Sequence, residues 1–284
     1  MVNGHTVVGL TQTLFSGIYI ILNLSYLIAA PIKKDQMDET PEKWINPLGL
    51  DDSNAIFLNS ESVPTGKALI TRILDQTRIA LNQANETKEE FAHRVFNVDS
   101  SQLHEDWKSA DYEWLPQRRD IHKGLDEPVA EEHLTSLNFD ETLVSTYHFL
   151  QSIAVGLEQM VKDQGEDGPF LGKFSLSEYN LVLVLQEIQT AIIERGVNDK
   201  MKPDIRRGSM PESLRVENNA TTKNVRDWII YRDYISLLQY VWEVFRYLKR
   251  KVYSSFDMSL SGKSDSEAPV NEAPTKATPN DVNE

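Results

Sequence analysis

The chain has 284 residues, 40% of them hydrophobic and 25% charged, which is enough apolar material for one sizeable core. Its 43 acidic against 29 basic residues give a net charge of -14, which argues against nucleic acid and anionic membrane surfaces as partners and favours a basic one. The absence of cysteine excludes disulfide frameworks, thiolate metal sites and cysteine nucleophiles together.

Residues 7–30, VVGLTQTLFSGIYIILNLSYLIAA, are apolar with a small-residue end, which suits a signal peptide over 1–30 cleaved near Ala29 or Ala30. The preceding MVNGH carries no Lys or Arg, and Pro31 is awkward just after a cut. An uncleaved signal anchor is the rival, since the run could span ~30 Å of hydrocarbon. Thr11, Gln12, Thr13, Ser16 and Asn23 fit such a span poorly. A helix buried in the fold is the third reading. Residues 31–64 form a leader that can dock through Trp44, Ile56, Phe57 and Leu58.

Residues 65–256 then read as a bundle of four long helices. The first, Thr65–Asn97, places Ile70, Leu74, Thr77, Leu81, Ala84, Phe91 and Val95 on one stripe. Its middle, NQANETKEE, is polar all round with Lys88 on the seam, so a kink or local loosening near Asn85 is expected. Residues 98–137 lack sustained periodicity and hold Trp107, Trp114, Pro116 and Pro128. The second helix, Phe139–Lys162, carries Leu143, Tyr147, Leu150, Ala154, Leu157 and Val161, and the glycine-rich QGEDGPFLGKF ends it. The third starts at a capping box, Ser175 with Glu178, shows a stripe of Leu181, Leu185, Ile188 and Ile192, and stops at Gly196. Its LVLVL could pass for a strand, but the cap and the length favour helix. After a second long connection over 197–222 comes the fourth, Trp228–Val252. Its apolar side runs from Trp228 to Val252, and Arg232, Ser236, Gln239, Glu243, Arg246 and Arg250 form the expected solvent stripe. Residues 257–284, rich in Pro, Ser and Asn, read as a disordered tail.

The fold class is therefore all-α. A short link makes the second and third helices antiparallel neighbours, and the other two links are long enough to cross a bundle end to end. Long, short, long predicts an up-up-down-down four-helix bundle with two crossover loops.

No metal, cofactor or catalytic constellation stands out: HExxH, GxxxxGK(S/T), GxGxxG after a strand and GxSxG are all missing. The nearest approach to a metal cluster, Glu131, Glu132 and His133, reads as a solvated loop. Asn85 with Thr87 and Asn219 with Thr221 fit the N-glycosylation pattern. Arg246, Lys249, Arg250 and Lys251 make the last helix basic near its end. They can complement the helix dipole, meet an acidic partner or, with Arg118–Arg119 and Arg206–Arg207, serve as dibasic processing sites. Trp107, Trp114 and Trp228 lie in the long loop or at the bundle ends, where they either bury against the core or act as interface anchors. Trp242, in mid-helix, reads as core.

In order, length and texture, GKALITRILDQTRIALNQ, ETLVSTYHFLQSIAVGLEQM and RDWIIYRDYISLLQYVWEVFRYLKR resemble the first, second and fourth helices of long-chain cytokines of the interleukin-6 superfamily. The lack of cysteines and the long tail are compatible with a divergent, invertebrate member. The resemblance implies a secreted, extracellular glycoprotein, growth factor-like, that bridges cytokine-type receptors at the cell surface and starts JAK/STAT signalling. It implies no enzyme activity, no cofactor, no nucleic acid and no small-molecule substrate. Several members use a Phe-x-x-Lys pair at the start of the fourth helix for one receptor contact. Here the region reads TTKNVRDW, with Lys223 and Trp228 at another spacing, so that contact does not carry over. The other usual surface, the end of the fourth helix with the first long connection, matches in character through Arg246, Lys249 and Arg250 with Trp107 and Trp114, and Trp228 joins them as a candidate. The alternative is a membrane-anchored or lipid-carrying bundle, in which residues 7–30 stay uncleaved and the protein meets the membrane through them.

Overall fold

A computed structural model describes residues 40–50 and 66–261, with the side chains of the last helix described as far as Lys251. The signal-peptide and Ile56–Leu58 expectations lie outside those residues, as does the tail expectation beyond Ser261, while residues 257–261, expected in the disordered tail, are helical. Among the described residues every regular element is a helix and none is a strand.

The first long helix, α1, spans Gly66–Phe91 and runs into a single π turn, Ala92–Phe96, closed by Asn97 in the left-handed region at φ 58°. The helix is unbroken through Asn85, where a kink or local loosening is expected from the sequence. The polar run stays helical because its side chains have partners: Gln83 donates to the buried Thr87 hydroxyl at 2.8 Å and accepts from Ser177 at 3.0 Å. Lys88 is buried on the seam and reaches Asp126 at 3.8 Å. The loosening appears two turns later, in the π turn beside a cluster of aromatic rings. There Phe91 meets Phe96, Phe170 and Phe174 at 5.1–5.9 Å between centroids.

Residues 98–137 are ordered by three short helices, α2 (Ser100–Trp107), α3 (Arg118–Ile121) and α4 (Glu131–Ser136). Each is too short for a 3.6-residue period to register in sequence. Next, α5 spans Phe139–Gln164, and Asn138 caps it by accepting from Asp140 N and Glu141 N at 3.0 and 3.2 Å.

The third long helix, α6, spans Leu171–Glu194 and so begins before Ser175. The expected capping box does not form. Gln164 Oε1 instead accepts from Phe170 N at 3.0 Å, and Glu178 is buried against Lys43 at 2.8 Å. LVLVL is helical, and the helix ends as expected at Gly196, with φ 65°. The second connection holds two 3₁₀ turns, Asn198–Lys200 and Arg207–Ser209, and α7, Glu212–Arg215. Finally α8 runs from Ala220 to Ser261, ~63 Å at 1.5 Å per residue.

Ion pairs and rings show which ends lie together. Arg72 near the start of α1 pairs with Glu194 at the end of α6 at 3.3 Å, and Lys173 at the start of α6 pairs with Glu90 at the end of α1 at 2.8 Å. Likewise Asp140 opening α5 takes Arg195 at 2.8 Å. Asp163 closing α5 takes Arg226 early in α8 at 2.6 Å, while Phe139 packs edge-on to Phe245 late in α8 at 6.3 Å. The four long helices share one core that includes Ile70, Ile73, Leu150, Leu157, Leu185, Ile188, Tyr234 and Leu238.

Candidate functional site

The connection over 98–137 lies along α8 and covers much of its expected solvent stripe. Arg232 and Ser236 are buried, and Gln239 and Glu243 are taken up by the connection. Gln239 Nε2 donates to Asp126 Oδ1 at 2.6 Å. Glu243 accepts from Lys123 Nζ at 2.6 Å and from Val129 N at 2.8 Å. Lys123 is only 2% exposed and Glu243 is half-buried, so the pair acts as a structural clasp between the connection and α8. Of the six stripe residues, Arg246 and Arg250 alone are exposed; Lys249 is half-buried.

Arg232 shows how the connection is fixed. Its guanidinium donates to Trp107 O and Ala110 O, both at 2.8 Å, and to the carboxylate of Asp233 beside it in the chain at 2.8 Å. Arg226 repeats the device on the second connection. It donates to Leu214 O at 2.7 Å, to Asp163 at 2.6 Å and to its own neighbour Asp227. Burial pushes both Asp227 and Asp233 up to about 6, against the pull of the arginine beside each. Two Arg-Asp pairs on α8 therefore hold two long connections. The signal in the sequence was RDWIIYRD, charge repeated inside an otherwise greasy run.

The candidate receptor residues separate into two groups. Trp228 is fully buried and belongs to the core, so it offers no contact surface; this corrects its assignment as a receptor residue. Trp107 and Trp114 are half-buried at the Arg232 level of α8. Trp114 stacks on Tyr112 at 6.4 Å and closes over Gly156, where an added Cβ would lie 3.2 Å from its ring. Arg246, Lys249 and Arg250 begin ~21 Å further along α8 at 1.5 Å per residue. The structure thus does not gather the tryptophans and the basic residues into one patch. The helix continues to Ser261, so these cations also lie ahead of the last turn, where a dipole role would place them. Trp242, expected in the core, is only partly buried against it.

Of the 118–119 and 206–207 dibasic pairs, Arg118, Arg206 and Arg207 are engaged, and Arg119 is exposed. Arg207 bonds Glu158 at 2.5 and 2.6 Å, and Arg118 pairs with Glu127. Asn219 is exposed and caps α8 by accepting from Thr222 N at 3.0 Å. Asn85 is half-buried, and the Thr87 of its tripeptide is buried, which leaves less room for a glycan there than at Asn219. His133 lies in α4, its ring stacked on His122 at 4.0 Å and its Nε2 3.0 Å from Tyr240 Oη. It lines a cleft of about 410 Å³ with Phe149, Lys200, Lys202 and Tyr240. Burial, and then His122, hold the His133 imidazole below the ordinary histidine range. Among the described residues no cluster of three His, Cys, Asp or Glu side chains is placed to hold a metal ion, and no helix is long and apolar enough to cross a membrane.

Among the described residues the large exposed apolar side chains are Ile79 on α1, Leu176 and Tyr179 on α6, and Val216 just after α7. Gln83 of α1 meets Lys173 O and Ser177 of α6 at 3.3 and 3.0 Å. No protein-family model, curated protein or solved structure matches the chain.

Proposed function

We propose that the protein is a secreted helical ligand that binds and bridges cytokine-type receptors at the cell surface, built as an up-up-down-down four-helix bundle. The observation that carries this reading is the end-to-end pairing of the long helices. The pairing of the start of α1 with the end of α6, of the start of α5 with the end of α6, and of the end of α5 with the start of α8 supports that order. Two connections of the length such an order demands accompany it. Two separate exposed surfaces suit a ligand with two receptor chains. One comprises the exposed apolar side chains Ile79 of α1 and Leu176 and Tyr179 of α6, and the other the basic Arg246 and Arg250 end of α8, which suits an acidic partner in a protein otherwise strongly acidic.

The test is a binding screen of the purified protein against JAK-coupled receptor ectodomains, followed by variants. Arg246→Glu with Arg250→Glu should leave helicity and melting nearly unchanged and weaken one receptor at least tenfold. Ile79→Asp with Tyr179→Asp should weaken a different one. Variants that bind every receptor as the parent does would remove these surfaces. N-terminal sequencing of the exported protein tests secretion, with a start near Pro31 expected.

A further inference from the structure

Residues 40–50, TPEKWINPLGL, are held by the bundle in the way a protein holds a peptide ligand. The segment forms no helix. It makes a double turn, with Ile45 N bonded to Glu42 O at 3.0 Å and Gly49 N to Asn46 O at 2.8 Å, and left-handed φ of 46° at Asn46 and 64° at Gly49. Trp44 is its anchor. The indole is fully buried, donates to Ile205 O at 2.7 Å and lies 5.8 Å from the Arg207 guanidinium.

Side chains of α5, α6 and the second connection read the segment's main chain. Arg207 donates to Thr40 O at 2.8 Å, Gln151 to Trp44 O at 3.3 Å and Gln186 to Pro47 O at 2.9 Å, while Gln189 accepts from Leu48 N at 3.1 Å and donates to Asn46 Oδ1 at 2.9 Å. The charges match in order. Glu42 takes Arg206 at 2.8 Å and Arg207 N at 2.7 Å, and Lys43 takes the buried Glu178 at 2.8 Å. Main-chain recognition, a buried aromatic anchor and two flanking charge matches are the elements of a peptide site.

We infer that this groove is a peptide-binding site that accepts the Glu-Lys-Trp segment of a second copy of the chain as well as its own. The 15 residues from 51 to 65 separate the segment from α1, a length that spans up to ~50 Å when extended. Exchange between copies replaces each contact by the same contact, so it costs little. The inference does not depend on the receptor reading above.

The experiment uses the full chain with Trp44→Ala and a fluorescently labelled peptide of the Thr40–Leu50 sequence. The peptide should bind this variant with a Kd on the order of 1–100 μM. It should bind the parent chain at least tenfold more weakly, because the parent's own segment fills the groove. Gln186→Ala with Gln189→Ala in the Trp44→Ala chain should weaken the peptide at least tenfold. A folded Trp44→Ala chain that does not take up the peptide, or a parent chain that binds it as tightly, overturns the inference. Hydrogen exchange on the parent chain decides the matter if the variant does not fold. The amides of Ile45, Leu48 and Gly49 should exchange at least a hundredfold faster than core amides such as that of Leu157, reporting release of the segment without unfolding of the bundle. Equal rates would make the segment an inseparable part of the core.

Discussion

Replacing Arg232 by Met keeps most of the side chain's stem and removes three hydrogen bonds, two to the carbonyls of Trp107 and Ala110 and one to Asp233. The main loss is at Asp233, left as a largely buried carboxylate without its cation. Breaking a buried pair from one side costs about 3–5 kcal/mol. The two carbonyls belong to half-buried residues and can regain water, so they add about 1 kcal/mol between them. A total of about 4–6 kcal/mol corresponds to a melting temperature lower by about 10–20 °C in a chain of this size. Asp233→Asn in the same background should restore about half of the loss, since an amide needs no counter-charge. The pH dependence is specific to this cause. Asp233 already sits at about 6 with Arg232 in place, and removal of the arginine, with Asp111 still nearby, drives it higher. A carboxyl whose folded value lies above its unfolded one destabilises the fold at high pH and stops doing so as pH falls through the folded value. The stability gap between parent and variant in urea titrations should therefore narrow from pH 8 to pH 5. A gap that is constant with pH, together with no rescue by Asp233→Asn, would refute the assignment of Arg232 as the strap's charged anchor.

Gly156→Val should cost about 2–3 kcal/mol, because a Cβ there already meets Ile230 Cγ2 at 2.6 Å and the Trp114 ring at 3.2 Å. Ile230→Ala should recover part of that in the double variant, read by urea denaturation. Asn138→Ala removes the cap of α5 and should cost about 1 kcal/mol in the same assay. His133, held neutral by burial and by His122, has a folded value below its unfolded one, so its contribution is complete above about pH 6.5 and is lost as pH falls. Amide exchange in residues 118–136 should accelerate between pH 7 and pH 5 beyond the intrinsic trend. His133→Gln should flatten that response, and an unchanged profile would exclude His133 as its source.

The long helices were legible because their apolar spacing persists over several turns. The Leu143, Tyr147, Leu150 series foretold α5 almost to the residue, and Gly196 marked the end of α6. The start of α6 was misread because a serine-glutamate pair looks the same at a helix end as inside one. Only the fold shows that Glu178 is reserved for Lys43. The connections were not legible, since four to eight residues of helix leave too little periodicity to detect. The solvent stripe of α8 was read as free because amphipathicity reports what a face avoids or accepts and does not reveal which segment will cover it. The arginines at 226 and 232 illustrate this, being charged yet buried, Arg226 satisfied in part by the carbonyl of Leu214 in the preceding connection and Arg232 by carbonyls far away in sequence. The same reasoning separated the candidate site. Trp228 shares the helix's apolar face and goes inside, while Arg246 and Arg250 lie past the end of the strap and stay in water.

The two Arg-Asp pairs also set a timetable. Both follow the three earlier long helices and both connections in chain order, so during synthesis neither connection has its fastener until α8 emerges. The three earlier long helices must wait with a greasy groove open to passing chaperones, and the arrival of α8 closes the groove and locks both straps in a single late event.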